Sequence, residues 1–369
     1  MAEISLPPLG CTKEEVDTPA LCVDLDIMEA NIRSIMDTCR RFGVGWRPHS
    51  KCHKSPAIAG KLLEAGAMGM TCAKLGEAEV MAAAGIRDLL IANMVVGRRK
   101  LERLVAVRRL ADPIVCVDHV QQAEAFSHVM SAAGLTLRVL IEVDIGMHRV
   151  GVAPGSAAVD LARQTSRLPG LRVAGIMGYE GHLLTVADPE EKGRRIGEAL
   201  ALLVDTRQQI ERRGIPCPIV SCGGTGSLAY CVQQPGITEV QAGGGIFMDA
   251  FYRYACQVRH LAFALTLLAT VVSRPAPERA VIDAGRKAMN VEVHPAVVVG
   301  QEGVAVQSLS AEHGVLRLEP AAQHLQIGDR LEIVPGYSDL TCVLHDRFLG
   351  FRQGRLEVIW PLEGRGRLQ

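Results

Sequence analysis

The sequence predicts an α/β fold in which a TIM-type (β/α)8 barrel is joined to an all-β domain. Three observations carry this. Between about residues 26 and 255, eight short β-rich runs alternate with stretches of helical period, the pattern of βα units around a parallel sheet. After Cys256 the texture changes to short strands punctuated by Gly and Pro. The chain also has 369 residues, more than one hydrophobic core usually holds.

In chain order, residues 1–25 contain a strand-like piece, ALCVDL, expected to join the β-domain. The segment 26–42 spaces Ile27, Ile32, Ile35 and Met36 as one face of a helix. The eight strand runs are 45–51, 69–74, 88–94, 114–118, 137–144, 173–179, 218–224 and 239–244. Helical segments 57–65, 76–84, 98–110, 121–133, 156–167 and 190–213 lie between them. Residues 26–255 thus form a unit near the ~250 residues of a typical barrel. A doubly wound open sheet remains the alternative, because strand order is not visible in a sequence. Residues 256–369 form the all-β domain, with strand runs such as LTLLATVVSR, GVLRLE and DRLEIVPG.

Composition excludes several classes. Lys+Arg and Asp+Glu are equal at 40 each, so no polyanionic partner is implied. Aromatic residues are only 4%, which argues against a nucleic-acid stacking surface. No apolar run reaches membrane-spanning length, and residues 1–20 lack a basic-then-apolar signal pattern, so a cytoplasmic protein is expected. The 11 cysteines are odd in number, without a CxxC pair, and sit mostly in apolar runs, as buried reduced thiols do. Cys52, among cations, is the thiol expected to be reactive.

The most informative stretch is Arg47-Pro48-His49-Ser50-Lys51-Cys52-His53-Lys54. A like charge disfavours a protonated amine, and a neutral amine is what a Schiff base needs. For a lone KxxK a solvated basic loop would be the better reading. The placement of other residues tips the balance, since catalytic groups of such barrels sit at the C-terminal ends of strands. Lys51 ends the first strand run. Asp144, followed by Gly146-Met147-His148-Arg149, ends the fifth, and Tyr179-Glu180-Gly181-His182 ends the sixth. Gly223-Gly224-Thr225-Gly226-Ser227 ends the seventh and Gly243-Gly244-Gly245 the eighth, the place where barrels bind phosphate through backbone N–H groups. A reactive lysine and a phosphate cradle in one barrel mouth suggest pyridoxal 5′-phosphate. Lys51 would hold its aldehyde, and Gly224, Thr225, Gly243, Gly244 and Gly245 its phosphate. Arg149 could reach the ring's phenolate oxygen, or form an ion pair with Glu142 or Asp144. Tyr179 could pack on the ring or be core. His182 is an acid/base candidate or a rim histidine.

These residues carry a resemblance. The chain resembles fold-type III pyridoxal-phosphate enzymes of the D-threonine aldolase and D-serine dehydratase group, and 3-hydroxyaspartate aldolases. The likeness runs from Asp17-Thr18-Pro19-Ala20 to Trp360-Pro361 and includes Glu312-His313-Gly314 and Leu344-His345-Asp346. It implies an alanine-racemase-like barrel, a Schiff base on Lys51 and not Lys54, and Arg149 on the phenolate oxygen. It also implies a homodimer acting on a small amino acid. The reaction implied is retro-aldol cleavage of a D-3-hydroxy-α-amino acid; dehydration or metal-independent racemisation is the alternative. Relatives carry a divalent-metal motif, Pro-Gly-His-x-Asp or His-x-Cys, where this chain reads Pro335-Gly336-Tyr337-Ser338-Asp339. A phenol is a poor ligand for Mn²⁺ or Zn²⁺ until deprotonated, so Asp339 is left as a weak site for Mn²⁺, Mg²⁺ or Zn²⁺ and Tyr337 becomes a catalytic candidate. The aldolases also place a histidine beyond the position of Tyr179, where this chain offers His182 and, later, Thr185.

Overall fold

A computed structural model describes residues 6–369 and divides them into two compact units. One unit holds Arg33–Gly243 with Gly364–Gln369. The other holds the chain up to Ile32 with Gly244–Glu363.

The chain enters through strand β1 (Ala20–Asp24) and helix α1 (Leu25–Phe42). Eight strands follow: β2 (Gly45–Trp46), β3 (Met70–Cys72), β4 (Asp88–Ile91), β5 (Asp112–Val117), β6 (Leu137–Glu142), β7 (Leu171–Met177), β8 (Ile219–Cys222) and β9 (Glu239–Val240). Between them run α2 (Pro56–Glu64), α3 (Leu75–Ala83), α4 (Arg98–Leu110), α5 (Val120–Ala132), α6 (Ser156–Ser166), α7 (Pro189–Glu211) and the short α8 (Leu228–Cys231). Local chemistry sets the helix starts. At α7, for example, the Asp188 carboxylate accepts the Glu191 N–H at 2.7 Å, and Pro189 fills the first turn, where no N–H is needed.

All eight strands pair in parallel in the order β2-β9-β8-β7-β6-β5-β4-β3. Neighbours follow chain order without reversal, which rules out the doubly wound alternative. The two ends of the path meet. His49 bridges Thr71, the Thr71 N–H donates to Pro48 O at 2.9 Å, and the Met68 N–H donates to Trp46 O at 2.9 Å. The sheet is a barrel filled by side chains from alternate positions, including Leu90, Ile114, Cys116, Leu140, Ala174 and Met177.

Near the strands' N-terminal ends lies an ion network. Buried Arg47 meets Glu239 at 3.0 Å and Asp88 at 3.1 Å, while Arg138 meets Asp88 at 2.5 Å and Asp112 at 2.9 Å. Buried charge persists only when paired in this way.

In the other unit, β1 pairs antiparallel with β10 (Leu265–Ala276). The remaining strands are β11 (Arg279–Ile282), β12 (Val297–Val298), β13 (Val304–Leu309), β14 (Gly314–Leu318), β15 (Arg330–Val334), β16 (Arg347–Arg352) and β17 (Arg355–Pro361). β1 also runs parallel to β16. The unit boundaries differ from residues 25 and 255. Asn31 donates to the carbonyls of Ile246 at 3.1 Å and Ala262 at 2.8 Å, which ties the first turns of α1 to the residues after Gly243. The tail 364–369 packs with the barrel, where the Gly364 N–H donates to Lys54 O and the Gly76 N–H to Gln369 O. No helix among the described residues is long and apolar enough to cross a membrane.

Candidate active site

The segment after β2 leaves the sheet at Pro48 and closes into a single turn, Ser50–Cys52, that carries Lys51. Lys51 is half-buried, and its N–H donates to His49 Nδ1 at 3.3 Å. The His49 pKa is held well below the usual histidine value, first by burial and then by the nearby cations Lys51, Lys54 and Arg149 and by His53. Lys54 is buried and paired with Glu77, so the two lysines of the motif are not equivalent. Cys52 is fully buried, with its thiol toward His49 O at 3.5 Å, so its expected reactivity is not supported.

Arg149 is exposed. It forms neither ion pair considered from the sequence; its guanidinium lies 5.8 Å from the centre of the Tyr179 ring. Asp144 serves the backbone instead, accepting the N–H groups of Gly146 at 2.9 Å and His148 at 3.0 Å and meeting His148 Nδ1 at 3.0 Å. Its carboxylate folds the loop that presents Arg149. Asp118 supports the same loop by accepting the Gly151 N–H at 3.0 Å. His182 is exposed and lies over this loop, because a Cβ on Gly146 would meet its Nε2 at 2.8 Å. Partial burial first, then Arg195 and His148, hold its pKa below the ordinary value, so the ring is neutral at pH 7.

The glycine loops have geometric reasons. β8 and β9 are neighbours. Gly223 takes a φ of +77°, and a Cβ on Gly224 would lie 3.2 Å from Tyr179 Oη. A Cβ on Gly243 would collide with the His49 backbone, so this loop is pressed against the Lys51 segment. Thr225 is buried in the first loop. Gly244 and Gly245 open the turn Gly244–Ile246, counted with the second unit, where a Cβ on Gly244 would meet the Tyr252 ring.

Sequence reasoning did not single out Glu180. It is fully buried and accepts the Gly223 N–H at 3.3 Å, the Cys231 thiol at 3.4 Å and the Ser227 hydroxyl. Burial raises its pKa. It holds the first glycine loop from beneath, and its position between Tyr179 and Gly181 at a strand end was the available signal.

These residues fit pyridoxal 5′-phosphate. A half-buried lysine, Arg149 beside the Tyr179 ring, and a glycine loop where a side chain would strike Tyr179 Oη are the residue types that would hold its aldehyde, ring and phosphate.

Tyr337 and Asp339 lie in the second unit. The Tyr337 hydroxyl donates to Asp339 Oδ2 at 2.8 Å, and its ring stands edge-on to Phe251 and Tyr252. His345 Nε2 lies 2.7 Å from Ala288 O, and His313 is exposed. Among the described residues, the three-donor cluster able to hold a metal is Glu180, Cys222 and Cys231, in the barrel. At this position a phenol that donates to the Asp339 carboxylate stands where the metal motif has an imidazole, and such a phenol is a poor ligand for Mn²⁺ or Zn²⁺.

The barrel and the lysine-bearing mouth define an alanine-racemase-type protein, and comparison with known families agrees. Residues 23–250 match the model described as alanine racemase, N-terminal domain, and residues 264–351 match a putative serine dehydratase domain. The chain belongs to the alanine racemase N-terminal domain family. It is 39% identical to a D-threonine aldolase of Arthrobacter sp. over 98% of this chain and 97% of that one. It is 35% identical to a 3-hydroxy-D-aspartate aldolase of Paracoccus denitrificans (strain Pd 1222), over 97% and 94%. The crystal structure of D-threonine aldolase from Filomicrobium marinum superposes with a TM-score of 0.96 at 38% identity, covering 99% of this chain and 100% of that one.

Proposed function

We propose that this chain is a pyridoxal-phosphate-dependent carbon–carbon lyase that cleaves D-3-hydroxy-α-amino acids, D-threonine among them, to glycine and an aldehyde. The observation that carries the reading is the likeness to D-threonine aldolase over both units, at high identity and near-complete coverage.

Lys51 would hold the cofactor's aldehyde, Arg149 and Tyr179 would hold its ring, and the loops at Gly224-Thr225 and Gly243-Gly244-Gly245 would hold its phosphate. When bound, the cofactor supplies an electron sink for the bond broken at Cα. The chain supplies the proton chemistry. Cleavage between Cα and Cβ requires removal of the proton on the β-hydroxyl, and His182, neutral at pH 7, accepts it at a ring nitrogen. The Tyr337 hydroxyl donates to Asp339. No step is routed through a metal. A cytoplasmic homodimer, with a mass of about 79 kDa, twice the 39.7 kDa of one chain, belongs to the same reading.

The test is purified protein with D-threonine or D-3-hydroxyaspartate, measuring aldehyde or glyoxylate, glycine and 2-oxo acid together, with and without EDTA. Aldehyde and glycine in equal amounts, undiminished by EDTA, are expected. A 2-oxo acid with ammonia would make the protein a dehydratase. Loss of activity with EDTA and its return with Mn²⁺ would restore a metal at Asp339.

A further inference from the structure

The second lysine of the motif has no role in the chemistry above, yet it is among the most tightly held side chains of the barrel. Lys54 adopts a φ of +50°, a region that non-glycine residues rarely occupy. Its side chain is buried, and its ammonium meets Glu77, which is fully buried. Its carbonyl accepts the Gly364 N–H at 2.9 Å.

Glu77 is shared. Oε1 takes Lys54, while Oε2 accepts the Ala73 N–H at 2.7 Å and the Ser50 hydroxyl at 3.3 Å. Ala73 follows β3, and Ser50 begins the turn that carries Lys51. The Ser50 carbonyl accepts the N–H groups of His53 at 3.0 Å and Lys54 at 2.7 Å. One carboxylate therefore joins both sides of the Lys51 turn to the neighbouring strand. It does so at the seam where the β2 and β3 segments are linked by the bridge at His49 and Thr71 and by the Thr71–Pro48 and Met68–Trp46 backbone hydrogen bonds. Few ladder hydrogen bonds fix that seam, so the side-chain clamp sets the height at which Lys51 leaves it.

We propose that Glu77, acting through Lys54 and Ser50, is a positioning residue that holds Lys51 in register with the cofactor site. This rests on the reading of Lys51 as the cofactor lysine. It also explains why two lysines three residues apart are not interchangeable, since Lys54 is committed to Glu77.

Glu77→Gln would leave a buried ammonium without its counter-charge and would lower stability as well. The discriminating variant replaces both partners, Lys54→Met with Glu77→Leu, which keeps the volume and removes the charges. Ser50→Ala is the milder companion. Each is loaded with pyridoxal 5′-phosphate, reduced with borohydride and peptide-mapped. Cofactor affinity, kcat, KM and Tm are then measured with D-threonine. In the double variant the label stays on Lys51, and Tm falls because the Ala73 N–H and the Ser50 hydroxyl lose their acceptor, while the chain still folds. Cofactor affinity falls, and kcat drops by about tenfold or more at saturating cofactor with little change in KM, as a misplaced reacting group predicts. Ser50→Ala lowers kcat several-fold in the same pattern. Unchanged kcat and cofactor affinity in the folded double variant would overturn the proposal. Should that variant fail to fold, an unchanged kcat in Ser50→Ala overturns it. Absence of label from Lys51 in the unmodified chain would overturn the underlying reading together with this one.

Discussion

Replacing Gly243 by alanine isolates the contact between the last barrel loop and the lysine segment. A Cβ there would strike the His49 backbone, the carbonyl oxygen first, with the nitrogen at 2.9 Å and the carbonyl carbon at 3.0 Å. Ordinary Cβ contacts begin at 3.4 Å. The His49 nitrogen alone must therefore retreat by about 0.5 Å, and both partners are backbone, which cannot rotate away. Overpacking of this kind costs about 1–3 kcal/mol. For a barrel unit of this size that is a fall in Tm of roughly 2–12 °C. Lys51 is two residues from the displaced atom, and a misplacement of ~1 Å costs about 100-fold in rate, so kcat should fall at least tenfold. The assay is kcat and KM with D-threonine, cofactor titration, and thermal unfolding. Gly60→Ala is the control. Gly60 lies within α2 with nothing within 4 Å of an added methyl, so the same change should stabilise by roughly 0.5–1 kcal/mol and leave kcat unaltered. Gly243→Ala with kcat and Tm both like the parent would refute the claim that this loop is pressed onto the lysine segment.

Three other outcomes are expected. Lys51→Ala should fold normally yet retain no cofactor through dialysis and lose turnover by about 10³-fold or more. The contribution of His53 to stability should fall as pH drops below 6.5, because burial holds its pKa at about 3 in the folded chain while the unfolded chain takes up its proton near 6.5. The unfolded state then binds more protons between those values. His53 alone removes ~2 kcal/mol between pH 7 and pH 5, a slope that denaturant titrations should find diminished in His53→Gln. All eleven cysteines are buried, so a thiol reagent should label less than one per folded chain and eleven after denaturation, Cys52 included.

The sequence was most informative where periodicity is long. The segment 98–110 is helix α4 from end to end, and all eight barrel strands fall within or against their expected runs. Six of the eight strand lengths were overread. In the run 45–51 only Gly45–Trp46 is ladder, because Pro48 offers no N–H and the chain turns to present Lys51. Short elements were missed, among them α8 with four residues, β12 with two and the helix Ser338–Cys342 with five, since none is long enough to show a period. The strand ends that carry candidate residues were legible, since β6, β7, β8 and β9 stop shortly before Asp144, Tyr179, Gly223 and Gly243. Glu77 and Glu180 were not, because what marks them is partners far away in sequence, Lys54 and Ser50 for one, Gly223 and Ser227 for the other. The metal motif shows the reverse case, in which a single letter, Tyr337, already carried the departure.

The pairing of β1 has a consequence during synthesis. Its residues Ala20, Leu21, Cys22 and Val23 are buried, and their strand partners are Leu265–Leu268 on one side and Leu349–Gly350 on the other. Roughly 240 residues must leave the ribosome before the first partner exists, about 12–50 s at ~5–20 residues per second. The barrel segment can collapse during that interval, but the apolar strand at the front of the chain has to wait, exposed, for the back of it. Shortening that wait by circular permutation, with 265–369 placed ahead of residue 20, should raise the yield of folded protein while keeping the pairings of β1 with β10 and β16.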